Sequence, residues 1–334
     1  MGTTAYSRSR RRGAAPRAMP RVPTPSQASA QARVVDHTGM VRRNLVGTLL
    51  IASEEGSPLS GALRLAEALA RRDGVNAHVV SVARPLSASL SHLVSLAADL
   101  ERHELEACRL QVGHARVRRQ VHETVGLSTL FSTGVERGEP VSTTADTARV
   151  RKAEYILVGL PRLGSRGRAG IEDAAFRMAK AAGGPVLAVP AHVDRLPRTA
   201  LVHMDLGEAS VCAARATVPL LAAGGTLTLV HVVPEVEFAP ADAGGCVEVG
   251  ARGVAKVLHE LGDELRLAGD LEVRSVVLQG DPATLLSDLA QDFDLTAVGA
   301  PKRRSFGRFL MGSVSADVLR AAGGTVLIAP GRDG

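Results

Sequence analysis

From residue 44 onward, short apolar runs alternate with longer stretches whose apolar residues recur every three or four positions. Runs of four to eight branched aliphatic residues read as buried strands, and the helical recurrence reads as amphipathic helices packed on them. In the first half the pattern predicts strands near 46–53, 76–83, 128–135, 154–159 and 185–190. Helices are expected over 59–72, from about 91 to 121, over 141–152 and over 172–182. The second half repeats the alternation, with strands near 199–204, 226–233, 272–278, 294–299 and 325–330. Its helices are expected over 209–222, 249–267, 282–291 and 313–322. Strand and helix in alternation, joined by right-handed crossovers, give an α/β fold of two tandem doubly wound parallel-sheet domains, Rossmann-like. Ligands are expected beyond the carboxyl ends of the strands.

The two halves also share residues. With an offset of 140 and no gap, Val158–Ala191 lies over Val298–Gly331 with 13 of 34 positions identical, including Gly159/Gly299, Pro161/Pro301, Gly167/Gly307 and Arg168/Arg308. Upstream, Gly138-Glu139-Pro140 corresponds to Gly280-Asp281-Pro282. A period of that size is a domain rather than a solenoid repeat. The expected organisation is a tail over 1–43, a first domain over 44–192 and a second over 198–332. At 334 residues, the chain accommodates two domains of roughly 150 residues that each bury a core.

Charge changes the picture at one end only. The isoelectric point of 9.8 suggests nucleic acid as a partner. However, residues 1–43 hold nine arginines and one acid, Asp36, a net of +8 against +6 for the whole chain, so the remainder sums to −2. The Arg/Pro/Ser-rich tail is expected to be disordered and to adhere to nucleic acid or anionic lipid only non-specifically, through counterion release. A solvated extension, or a true start at Met40, fits equally. The three cysteines, Cys108, Cys212 and Cys246, have no paired or metal-like spacing, which points to a reducing compartment. No apolar run approaches the roughly 20 residues of a membrane span, and no secretory signal is recognisable, so a cytoplasmic protein with no membrane partner is expected.

The candidate chemistry lies between Val298-Gly299-Ala300-Pro301-Lys302 and Gly312-Ser313-Val314, where an apolar strand, a basic glycine-containing loop and a Gly-Ser helix start come in that order. Unpaired N–H groups at a helix N-terminus and the helix dipole both favour a bound anion. Ser313 is either a helix cap or a phosphate contact. In the first half the matching positions are Glu172-Asp173, which are expected at the helix start and would repel phosphate. Two histidine groups are weaker signals. His92, His103, His114 and His122 lack the spacing and acidic support of a metal stripe, and His203 and His231 read as core or cleft histidines. Ser53, Ser313 and the cysteines have no base at motif spacing, so nucleophilic catalysis has no support.

In this order and spacing the chain resembles the universal stress protein family in its tandem form, over about residues 44–331. Three segments carry the resemblance: Leu201 to Ser210, a first strand ending in Asp205 before a Gly/Ser-containing turn; Leu229 to Val233, a second strand; and the loop, set against the family's Gly-x2-Gly-x9-Gly-(Ser/Thr). The resemblance implies that Asp205 and Val232 border adenine, that Val298 and Gly299 lie near base and ribose, and that Gly312, Ser313 and Val314 hold phosphates. ATP with Mg, or a related adenine nucleotide, is the implied cofactor.

Lys302 departs from the motif by occupying its second glycine, where a Cβ costs about 1 kcal/mol if φ is positive. Together with Arg303 and Arg304 it also brings three cations to the phosphate end. The first half reads Gly159-x2-Arg162-x9-Glu172-Asp173, with Glu54 or Glu55 in place of the aspartate, and is expected to be a structural or partner-binding copy.

Pairing of family members through the last strand implies an internal pseudo-dimer of the two halves, with a homodimer of chains left open. The implied function is a stress-response regulator or sensor that binds nucleotide with little turnover, no positioned general base being apparent. The alternatives are a nucleotide-free scaffold acting through protein contacts, and an adenylating or hydrolysing enzyme. The enzyme would need a metal-binding carboxylate, for which Asp205 is the candidate and turn formation its simpler role.

Overall fold

The computed structural model describes residues 44–53, 58–84, 96–161, 168–234, 244–268, 270–300 and 312–331. In chain order the elements of the first half are β1 (Thr48–Ser53), α1 (Ser60–Asp73), β2 (Ala77–Ala83), α2 (Leu96–Val125), β3 (Phe131–Arg137), α3 (Pro140–Val150), β4 (Ala153–Leu160), α4 (Arg168–Ala182) and β5 (Val186–Pro190). Those of the second are β6 (Thr199–His203), α5 (Glu208–Thr217), β7 (Gly225–Val233), α6 (Gly244–Leu267), β8 (Leu271–Gln279), α7 (Pro282–Leu289), β9 (Leu295–Ala300), α8 (Gly312–Ala321) and β10 (Thr325–Pro330).

The strands form one sheet in the order β3-β2-β1-β4-β5-β10-β9-β6-β7-β8. Every pairing within a half is parallel, and β5 meets β10 antiparallel, with Leu187 opposite Leu327. The alternation leads to two doubly wound sheets, and pairing through the last strand of each half joins them into one. The edge that each half would leave on its last strand is instead satisfied by the other half, which removes two rows of unpaired backbone groups. The apolar layers are continuous as well. One cluster, containing Leu63, Leu157, Leu187, Leu229 and Leu327, lies on one face of the sheet. A second, containing Leu50, Ile156, Met178, Val298 and Ile328, lies on the other. Both run across the join.

The registers of the halves correspond rung by rung. Leu50 on β1 lies between His78 and Ile156, and Ile156 faces Val186. Leu201 on β6 lies between Thr228 and Thr296, and Thr296 faces Val326. A carboxylate device is also repeated. Glu154, beside the start of β4, accepts the backbone N–H groups of Val46 and Gly47 at 2.9 and 2.8 Å. Asp294, 140 residues on, accepts those of Arg198 and Thr199 at 2.8 and 3.1 Å. Each ties down the chain entering the central strand of its half. Gly138 and Gly280 share a further constraint, with φ of 152° and 147°, a region open to glycine alone, just before α3 and α7.

The local sequence explains the helix ends. In α1, Leu63, Ala66, Leu69 and Ala70 form the buried stripe, and Gly74, at φ 71°, ends the helix by donating to the Ala70 carbonyl. The predicted helix over 209–222 stops at Thr217, because Pro219 turns Val218–Leu220 into a 3-10 turn. Strand β3 begins at Phe131 rather than 128, because Ser128 accepts the Leu130 N–H and folds a turn. The start expected for the second helix, at residue 91, lies outside the described residues.

Side chains fasten the halves across the join. Tyr155 donates its hydroxyl to the Ala216 carbonyl at 2.7 Å, and burial pushes its phenol well above the usual range. Arg72 pairs with Asp73 at 2.7 Å and donates to the carbonyls of Leu221, at 3.0 Å, and Pro219.

Candidate functional site

In each half the parallel strand order reverses direction beside the central strand, between β1 and β4 and between β6 and β9. The crevice beyond the carboxyl ends there is where an open α/β sheet takes its ligand. In the second half this edge gathers the residues of the motif that are described. Asp205 follows β6 and is exposed, Val232 is near the end of β7, Val298 and Gly299 are near the end of β9, and Gly312 opens α8. Lys302 and the loop 301–311 lie outside the described residues, as do Glu54 and Glu55 in the first half. Gly312 and Ser313 are placed as helix backbone only. Val314 is half-buried against the second apolar cluster.

Asp205 acts in a turn. Its Oδ1 accepts the Gly207 N–H at 2.9 Å, and Gly207 is the cap of α5. Leu206 between them takes φ 63°, a strained left-handed conformation for a leucine that no pattern in the chain announces. Among the described residues Oδ2 accepts no hydrogen bond. Val232 and Val298 are buried in the apolar cluster, so their side chains serve packing and only their backbone can meet a nucleotide.

Gly299 is fixed by packing. A Cβ there would stand 2.7 Å from the Ala209 carbonyl carbon and the Ser210 nitrogen, where the start of α5 crosses the strand end. Gly159 is in the same position, since a Cβ would stand 2.1 Å from the Pro58 carbonyl oxygen, before α1. The glycine that opens the motif is therefore required in both halves whether or not a ligand binds.

The helix starts differ from expectation in one respect. The helix in the first half is already formed at Arg168, so Glu172 and Asp173 lie more than a turn inside it and not at its N-terminus, where an arginine stands instead. In the second half Gly312-Ser313-Val314 occupy the first turn of α8, which carries no acid. The first turn of α4 carries no acid either.

Two histidines complete the edge. His231 donates Nδ1–H to the Met204 carbonyl at 2.6 Å. Burial lowers the pKa of His203, as does His231, while Asp205 acts the other way, so the imidazole is held neutral. Among the described residues no group of three His, Cys, Asp or Glu could hold a metal. His114 bonds Thr133 at 3.1 Å and His122 is exposed, which leaves no metal stripe on the described part of α2. Two cavities lined by described residues lie away from the motif. One of about 510 Å³ adjoins the linker near Asp194 and Thr325. The other, of about 830 Å³, is at the carboxyl edge of the first half.

Residues 197–330 match the Universal stress protein family, so the second half carries one such domain. A universal stress protein from Mycolicibacterium smegmatis is 26% identical over 260 residues, covering 75% of this chain and 85% of its own. Among solved structures, a universal stress protein from Archaeoglobus fulgidus superposes with a TM-score of 0.55 at 17% identity, covering 88% of this chain and 98% of its own. A functionally unknown protein from Pseudomonas aeruginosa gives 0.53 at 16% identity, covering 86% and 93%. These two likenesses establish the fold, a mixed α/β architecture built on a large, mostly parallel sheet. No helix among the described residues is long and apolar enough to cross a membrane.

Proposed function

We propose that the chain is a tandem universal stress protein whose second domain binds ATP with Mg, or a related adenine nucleotide, as a cytoplasmic stress-response regulator with little turnover. Asp205, Val232, Val298, Gly299, Lys302, Gly312, Ser313 and Val314 form the site, and the first domain acts as the structural half of an internal pseudo-dimer. One observation carries the reading: the half that matches the family is also the half in which Gly312-Ser313-Val314 opens the helix after the strand that carries Gly299. Lys302, at a glycine position of the motif, favours a second reading, a nucleotide-free scaffold acting through protein contacts. Calorimetric titration of the full chain with Mg-ATP decides between them. The first reading expects one saturable site per chain that the double substitution Gly312→Glu, Ser313→Asp removes. Absence of heat at millimolar ATP supports the scaffold.

A further inference from the structure

The amino ends of β6, β9 and β10 enclose the cavity of about 510 Å³, on the opposite edge of the second half from Gly299 and Gly312. Three segments wall it: the linker His192–Pro197, the turn Gln291–Asp294 before β9, and Gly323–Thr325 at the start of β10. The linker is held at both ends. Val193 donates its N–H to the Pro190 carbonyl at 3.1 Å, Ala222 donates to the Pro197 carbonyl at 2.8 Å, and Asp294 takes the N–H groups of Arg198 and Thr199. Gly324 is fixed against the turn, since a Cβ would stand 2.3 Å from the Asp294 carbonyl oxygen. The volume suits a small molecule, and the walls are set before any ligand arrives.

The groups that line it favour a cation. Three carboxylates stand against one guanidinium, that of Arg195. Asp294 is engaged by backbone, but the exposed carboxylates of Asp194 and Asp292 make no ion pair or hydrogen bond among the described residues. Helix α7 ends at Leu289 and α8 at Ala321, each two residues before the wall it leads into, so the negative ends of two helix dipoles reach the same edge. Phe293 and Leu196, both half-buried, supply apolar surface and a ring that a cation can stack on. Thr325 is fully buried, and its hydroxyl has no hydrogen-bond partner among the described residues. The first half shows that the edge does not require these groups. Asp294 and Gly324 have counterparts in Glu154 and Gly184, whereas Arg151-Lys152-Ala153 stands for Gln291-Asp292-Phe293 and Pro185 for Thr325, so the charge is reversed and ring and hydroxyl are missing.

We propose that this cavity binds a small organic cation, a primary ammonium or guanidinium with an apolar body, its charge held by Asp194 and Asp292 and its body against Phe293 and Leu196. The site is separate from the nucleotide site of the second half and does not depend on it.

Three probes that share a ring and differ in charge test this: para-fluorophenethylamine, para-fluorophenethyl alcohol and para-fluorophenylacetate. The fluorine transverse relaxation of each is followed while the full chain is titrated in. The ammonium should bind saturably, with a Kd at least about tenfold below that of the alcohol, and the carboxylate should bind most weakly. Asp194→Asn, Asp292→Asn, whose carboxylates are exposed and unpaired, should keep the wild-type thermal midpoint and bring the ammonium to the affinity of the alcohol. The ammonium Kd should be unchanged in Gly312→Glu, Ser313→Asp. No saturable binding of the ammonium, equal binding of ammonium and alcohol, tightest binding of the carboxylate, or full ammonium affinity in the asparagine double variant would overturn the proposal.

Discussion

At the carboxyl ends of β4 and β9 the chain uses glycine in the same way and then diverges. Gly159 and Gly299 both admit the start of a helix against the strand end, at separations no side chain tolerates. The next helix begins differently in each half: already under way at Arg168 in the first, and opening on Gly-Ser-Val in the second. The lesson is that this glycine is fixed by packing in both halves, so its presence alone does not mark a ligand site. The same contrast holds across the central rung, where His78 and Ile156 in the first half correspond to Thr228 and Thr296 in the second.

The join between halves sets the largest effect. Leu187 and Leu327 are fully buried and face each other where β5 meets β10. Leu327→Ala should destabilise by about 2–5 kcal/mol, with both halves unfolding in one transition, because the apolar layers are continuous. Two separate urea transitions would show halves with independent cores.

His78 gives the next effect, and only in the first half. It is buried, its Nδ1 lies 2.8 Å from the Ser132 hydroxyl, and its Nε2 has no hydrogen-bond partner among the described residues. Burial, and secondarily Arg151, bring its pKa from 6.5 to about 4. Since the folded form resists the proton, the unfolded chain binds more protons in this window. Stability should fall as the pH drops from about 6.5 to about 4, by up to about 3 kcal/mol. Chemical denaturation of wild type and His78→Thr across that range should show this loss in the wild type alone.

The carboxylate clamps come third. Glu154→Ala and Asp294→Ala each free two backbone N–H groups near the surface and should each cost about 1–2 kcal/mol. Similar values from the two halves would mark the clamp as one device used twice.

The smallest effect is of opposite sign. Thr296 is buried with its hydroxyl unpartnered among the described residues, at the place Ile156 occupies in the first half. Thr296→Val should be neutral or stabilising by about 1 kcal/mol in thermal unfolding.

Aliphatic runs place the strands well because a sheet covered on both faces needs them continuous, and nine of the ten expected strand starts lie within two residues of those found. Two of the misplaced element ends trace to single residues, Ser128 before β3 and Pro219 after α5, whose local bonds override periodicity, while α4 and α6 begin four and five residues before the expected bounds. Gly312 at a helix start and Asp205 after a strand were legible, but their company was not. The turn that engages Asp205, the strain at Leu206 and the packing role of Gly299 arise from elements far apart in the chain.

Photolabelling with 8-azido-ATP, followed by peptide mapping, tests most directly the claim that nucleotide belongs to the second half alone. Labelling that ATP competes away, confined to peptides spanning 203–207 and 231–234, is the predicted result. Competed labelling in the first half, around Ser53 and Ser81, would contradict the account.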